Sequence, residues 1–435
     1  MASVFLAISF PSVSAQDKSV VIKLDPDPNI IYFQATAKES LTLDFIIASF
    51  SRQQNLEKCF IQTTDAQDLY KLDLRNVYWG QYEWNRFVAQ FYPYLQFLPG
   101  PYQDYRRFTS PTYSPKIIRA DWFISYISDG HDNSSGDALL YGINSIPKTK
   151  AEFLKYWSIN TQSEYQFGLI ESDSRVSKRR IRWIDNFSIP RGYVWGTKDF
   201  LQIDPEKGKD PLTYPIPGDD RLKQDGEEWI VGIPKFSSLS GKRSTVQIYA
   251  LFDANGKKID KADGDLVEDH THYKGYAQIR TAGSCIQCHS SGINEPTTNA
   301  LKEIISSGQD TYAKYDAKEK LERFHLSDTA KEIKRNNEDF AQAILSINSL
   351  SPEVNTKLFQ ESIDSYNSTV NLERAAKFLS VEPRTLSSAI AFASNTDKKL
   401  GPNITGLPHG RKMNIETWEK EYPAVNEALQ QWLKN

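Results

Sequence analysis

Cys285-Ile286-Gln287-Cys288-His289 constrains this chain more than any other segment. Two thiols separated by two residues, with an imidazole directly after the second, have to share one tight turn or short helix. Only there do residues three apart face the same side. The pattern is C-x-x-C-H, which reads as a c-type haem attachment motif. In that chemistry the thiols add across the two vinyl groups. The adjacent imidazole then stands over one face of the macrocycle with a nitrogen for the iron. The motif therefore predicts one covalent haem c on Cys285 and Cys288, with His289 as the proximal iron ligand.

Two rival readings use the same thiols. A zinc site needs further ligands at metal spacing, and His270 and His272 lie close upstream. A redox or disulfide pair needs the strand, motif and helix of a βαβ unit, which the flanking sequence does not offer. The His directly after Cys288 favours haem over both. The distal axial position has several candidates. Met413 is the only methionine besides Met1, and it is the distal ligand we expect. His270, His272, His325 and His409 are alternatives, whereas His131 lies in the hydrophilic run Asp129–Asn133 and reads as solvated. A second His would set a lower potential than Met. An open position would admit O₂, peroxide or another small ligand.

The N-terminus reads as an export signal. Val4–Val13 is mostly apolar, and Val13-Ser14-Ala15 is a small-residue cleavage site. A buried first strand is the alternative, since no Lys or Arg precedes the run. No later segment holds the roughly 20 apolar residues of a membrane helix. We therefore expect a periplasmic or otherwise exported protein with no transmembrane segment in the mature chain. The net charge of −3 argues against nucleic acid as a partner, because phosphate binding uses clustered Lys and Arg. Three cysteines are too few and too odd a number for a disulfide framework. Cys59 reads as a small buried hydrophobe.

At 435 residues the chain has room for several domains. The expected class is α+β. After a signal peptide at 1–15 come a mixed α/β domain at 16–175 and a β-rich, mostly antiparallel domain at 176–295 that leads into the motif. A helical region follows at 296–435. Ile30–Phe33 reads as a strand, and residues 40–57, 80–95 and 149–168 read as helices. Residues 96–116, with four prolines, read as a loop. Asp253-Ala254-Asn255-Gly256 is a hairpin turn between Ile248–Leu251 and Lys258-Ile259. Further on, Ser327 and Ser351-Pro352 read as helix starts. The helix after Ser327 presents Ile333, Phe340, Ile344 and Leu345 on one face. Asn371–Leu379 and Pro383–Phe392 form a short pair. The last helix, Ile415–Leu433, turns Trp418, Tyr422, Val425, Leu429 and Trp432 inward.

A longer pattern surrounds the motif. It comprises Leu72-Asp73-Leu74-Arg75 with Trp79 and Trp84, Tyr92-Pro93-Tyr94, Arg119-Ala120-Asp121-Trp122-Phe123, and Gly192-Tyr193-Val194-Trp195 with Asp199-Phe200 and Pro211-Leu212. Tyr249–Asp260, Leu266–Asp269, Gly283–His289 and Leu372–Leu386 complete it. Together these resemble a family of large, exported, single-haem bacterial c-type cytochrome-like proteins whose function is poorly defined. The chain departs from that pattern at Lys235–Arg243 and at Arg182-Trp183. The resemblance implies haem attachment at the motif and leaves the distal ligand open. The resulting expectation is an electron-transfer cytochrome with a redox partner protein rather than a substrate-converting enzyme. The alternatives are a haem enzyme of peroxidase or oxygenase type, with Arg119, Asp121 and Tyr193 as pocket groups, and a haem-based sensor.

Overall fold

The computed structural model describes residues 24–51, 53–66, 68–94, 117–128, 147–159, 166–171, 181–189, 192–199, 226–262, 279–294, 329–379, 381–395 and 400–433. The architecture is α+β, with a mixed sheet, a separate antiparallel sheet and a helical C-terminal region. The segment 1–15 read as an export signal, the stretch 96–116 read as a loop, Ser327, His131, His270, His272 and His325 lie outside the described residues.

The first sheet has the order β2-β3-β1-β4, from Gln62–Thr63, Leu69–Asp73, Ile30–Gln34 and Ile117–Arg119. β1 runs antiparallel to β3 and parallel to β4. After β1 the chain enters α1, Ala37–Phe50, through a capping box. The Glu39 N–H donates to Thr36 Oγ1 at 3.3 Å, and the Thr36 N–H donates to Glu39 Oε2 at 2.7 Å. This satisfies two helix-end donors reciprocally.

The expected helix over 40–57 ends early, at Phe50. Lys235 supplies the physical reason: its Nζ donates to the Ser51 and Gln53 carbonyls, at 2.9 and 2.7 Å. A distant side chain thus closes the helix end, and only a 3₁₀ turn, Leu56–Cys59, follows. Cys59 is fully buried, as expected, with Ser51 Oγ 3.2 Å from its sulfur. Two further helices, α2 at Gln81–Phe91 and α3 at Ala120–Ile127, pack Trp84, Phe87, Trp122 and Phe123 around Phe33 and Trp79.

α4 covers only Lys150–Tyr156, which corrects the expected helix over 149–168. Ser158 turns out of it with φ +55, and Gln166–Glu171 is a strand, β5. Pairing with a neighbouring strand overrides local helix propensity there. β5 is the edge of a meander of order β10-β9-β8-β7-β6-β5. The others are β6 Ile181–Ile189, β7 Gly192–Asp199, β8 Gly226–Ser237, β9 Lys242–Asp253 and β10 Lys258–Ile259. All neighbours are antiparallel. The turn at Asp253–Gly256 joins β9 to β10 as read from sequence, with Gly256 at φ +73.

The helices that follow are α5 Gly283–Cys288, α6 Thr329–Asn348, α7 Pro352–Asn367, α8 Leu372–Phe378, α9 Pro383–Ser394, α10 Pro402–Thr405 and α11 Ile415–Trp432. Ser351 caps α7 with Pro352 next, as its sequence indicates. Ile333, Phe340 and Ile344 are buried on α6, but Leu345 is 40% exposed and does not belong to that face. α6 lies on β9 and α1, and α7 lies on α1 and α3. One apolar core connects Ile31 in the first sheet to Leu429 in α11. Among the described residues no helix is long and apolar enough to cross a membrane.

Asp44 on α1 accepts the Ile61 N–H at 2.8 Å, and burial pushes its carboxyl up to about 7 from 3.8. The folded state therefore holds a proton that the unfolded chain releases, and stability falls as pH rises through that window. Asp44→Asn keeps an acceptor and removes the titration. Its urea unfolding free energy is expected to decline less than that of the parent between pH 4 and 7, and to exceed it at pH 8.

Candidate functional site

The residues directly after β10 set the position of the motif. Lys261 and Arg280 form a bridge, the Ala262 N–H donates to Ile279 O, and the Thr281 N–H donates to Asp260 O, both at 2.9 Å. The chain then turns sharply at Ala282, whose φ of +75 and ψ of −67 are costly for a residue with a side chain. That turn starts α5. Its first N–H, on Gly283, donates to Ser128 O at the end of α3, at 3.1 Å. The Arg280 N–H donates to Ser284 Oγ at 3.0 Å, and Ser284 is fully buried.

Cys285 and Cys288 both lie on α5, one helical turn apart, so their thiols share a face. Cys285 is buried, Cys288 is half-buried against Leu251, Ala262 and Ile279, and no disulfide joins them. His289 caps the helix, its N–H donating to Cys285 O at 2.8 Å. Its ring is held from three directions. Nδ1 is 3.0 Å from Gly292 O, a contact in which Nδ1–H donates. Tyr249 stacks on the ring, with centroids 5.4 Å apart and an interplanar angle of 22°. Nε2 faces Glu228 Oε1 at 3.6 Å. A ring nitrogen that donates to a backbone carbonyl fixes the tautomer and leaves the other nitrogen as the donor to a metal.

The turn after His289 is clamped. Gly292 has φ +105, and a Cβ there would lie 2.2 Å from Asn337 Oδ1. Asn337 accepts from the Ile293 N–H at 2.7 Å and donates to Ile293 O at 2.9 Å. Only glycine meets both demands. Sequence reasoning missed Gly292, Asn337, Tyr249 and Glu228 as partners of His289. The Ser-Gly pair after the motif was the one local signal for the turn.

Tyr249 begins a hydrogen-bonded row across the second sheet. Its Oη–H donates to Gln247 Oε1 at 3.1 Å, and Gln247 Nε2 donates to Tyr193 Oη at 2.9 Å. Burial is the main force raising both phenols, Tyr193 to about 12, so both stay neutral across physiological pH. Gly232 makes the row possible. It pairs with Tyr193 on β7 and with Gln247 on β9, and a Cβ at Gly232 would lie 2.4 Å from the Tyr193 ring. Tyr193 therefore reaches across β8 only because that position has no side chain.

The other expected site residues lie elsewhere. Arg119 grips Asp121 through two bonds, of 3.1 and 2.6 Å, and its guanidinium sits over Phe378 at 4.4 Å. Arg374 covers the same ring at 5.1 Å. These residues line a cleft of about 730 Å³ with Glu39, and Tyr193 lines a different one. Arg119 and Asp121 thus join the first sheet to α8, and the three expected pocket groups do not converge. Met413 is buried, with its N–H and C=O both bonded to Val370. The small cavity beside His289, about 10 Å³, is lined instead by residues such as Ser49, Gln247, Tyr249 and Phe340. His409 is exposed. Among the described residues no cluster of three metal-ligating side chains occurs.

The donor set fits haem c in chemistry, with two thiols on one face and an imidazole whose Nδ1 is already engaged. The cavity at His289 is too small for a macrocycle. Segments 263–278 and 295–328, which flank the motif, lie outside the described residues. Neither protein-family models, nor curated proteins, nor solved structures match the chain.

Gly232→Ala is expected to lower stability by about 1–3 kcal/mol, the usual cost of overpacking. In a Tyr193→Ala background the same change is expected to cost much less, because the obstructed ring is gone. Unfolding free energies of the four proteins give the coupling directly.

Proposed function

We propose that this protein is an exported c-type cytochrome that carries one covalent haem on Cys285 and Cys288 and transfers electrons to or from a redox partner protein. The observation that carries this reading is the fixed His289 ring. Its Nδ1–H is donated to Gly292 O, which leaves Nε2 as the coordinating atom. The bound haem would supply a one-electron couple at its iron. His289 would hold the proximal position, and Cys285 and Cys288 would tether the ring from one helix face. Glu228 now faces Nε2 and would have to give up that position. Tyr249, stacked on the imidazole and neutral, restrains the ring without adding charge. The resemblance of the surrounding sequence blocks to exported monohaem cytochromes agrees with this assignment. So does the export signal read at residues 1–15.

A second reading has one observation in its favour. The row from Tyr249 through Gln247 to Tyr193 ends in a cleft large enough for a small molecule. A carrier needs no such cleft, whereas a haem enzyme or haem-based sensor does. Met413 stays the proposed distal ligand under the carrier reading.

Exported protein is expected to give the pyridine haemochrome of haem c and to keep its haem in a denaturing gel. Cys285→Ala combined with Cys288→Ala is expected to lose the gel-resistant haem. A colourless parent protein from a host competent for haem attachment sinks the reading. With haem present, carbon monoxide is expected to leave the reduced spectrum unchanged, and Met413→Ala is expected to let it bind. Binding to the parent protein favours the enzyme or sensor.

A further inference from the structure

The cleft beside Tyr193 is built where β7 stops. β7 begins at Gly192, and Tyr193 is its last partner for β8, at Gly232. Beyond that point β8 continues from Ile233 to Ser237, paired with β9 on its other side. Pro234 falls in this stretch, where a missing N–H costs no β7 pairing. The segment Gln53–Asn55 closes over the strand, with the Phe236 N–H donating to Gln54 O at 2.7 Å. The space left has a volume of about 590 Å³, within the range of sites that take small organic molecules.

Its chemistry is asymmetric. Lys235, Arg243 and Arg335 line it with one lining carboxylate, Asp339, and Arg335 is also paired with Glu332 at 2.5 Å. Lys235 is 1% exposed, and among the described residues its Nζ meets only the neutral carbonyls of Ser51 and Gln53. A buried cation without a counter-charge is costly. Asn336 is 2% exposed, and its Nδ2 has no hydrogen-bond partner among the described residues. Leaving such a donor unmet costs more than a hydrogen bond ordinarily returns. An orphaned donor and an unneutralised cation in one cleft both call for an anionic acceptor. Pro234, Phe236 and the Tyr193 ring add flat apolar surface.

We propose that this cleft binds a small organic carboxylate with a flat apolar body, and that Tyr193 couples its arrival to His289 through Gln247 and Tyr249. The binding half stands on the cleft alone, and the coupling half rests on His289 being the haem ligand. Binding would place negative charge near Lys235, and a turn of the buried Asn336 amide toward the cleft would give its Nδ2 an acceptor. Any shift of the Tyr193 ring is then passed on, because Gln247 holds both phenols and Tyr249 lies on the imidazole.

The test titrates the full chain by calorimetry with benzoate, benzamide and inorganic phosphate. Benzoate is expected to saturate one site. Benzamide, without charge, and phosphate, without an apolar body, are each expected to bind at least about tenfold more weakly, the weight of one charged hydrogen bond. Asn336→Asp, which sets a carboxylate in the cleft, and Arg243→Glu, on the exposed rim, are each expected to weaken benzoate several-fold. Equal binding of benzoate and benzamide, no binding of either, or unchanged affinity in both variants overturns the site. Coupling is read as a benzoate-induced Soret shift that Gln247→Leu removes. Benzoate binding without that shift, in protein that gives a haemochrome, overturns the coupling. Protein without a haemochrome fails the cytochrome reading and with it the coupling, and the calorimetry still decides the cleft.

Discussion

The paired strands β8 and β9 are the support on which everything else rests. Their register runs without a break from Gly226 opposite Asp253 to Ser237 opposite Lys242. A ladder of that length fixes which side chains stand in one row across the sheet. One such row is Tyr193, Gly232 and Gln247, and another brings Ile230 beside Tyr249. A slip of one residue would turn Tyr249 away from His289 and break the bonds to Gln247. The same strands carry α6 on β9, and α6 provides Asn337, which clamps the turn after the motif.

Around that support, single side chains do long-range work. Lys235 ends α1 by taking the carbonyls of Ser51 and Gln53, so a strand residue sets the length of a helix far away in the chain. Arg119 binds Asp121 and covers Phe378, with Arg374 on the same ring, which ties the first sheet to the C-terminal helices. Asn337 holds Ile293 with both ends of its amide. Lys235 and Asn337 are polar groups whose hydrogen-bond partners come from a remote segment, and neither shows a local pattern that would announce it.

The aromatic residues divide into two roles. Phe33, Trp79, Trp84, Trp122 and Phe123 fill the core between the first sheet and its helices, at ring separations of 5 to 6 Å. Tyr249 and Tyr193 instead join the motif to a polar cleft. Composition alone could not separate the two, because a ring that fills a core and a ring that holds a histidine have the same hydrophobicity.

By itself the sequence determined the α+β class, the hairpin at Asp253–Gly256, the caps at Ser351-Pro352, and a turn placing Cys285, Cys288 and His289 together. These follow from local periodicity, turn chemistry and spacing, which act within a few residues. A helix read over 149–168 stops at Tyr156, and Gln166–Glu171 is held as strand β5 by β6 rather than by its own propensity. Leu345 was misplaced because helical periodicity cannot say where a neighbouring element ends. What surrounds His289 was decided only by tertiary structure. Glu228, Tyr249, Gly292 and Asn337 come from β8, β9, the turn after the motif and α6. So did the separation of Arg119 and Asp121 from Tyr193 into two clefts. Contacts between segments far apart in the chain depend on strand register and helix packing, which no short window of sequence contains.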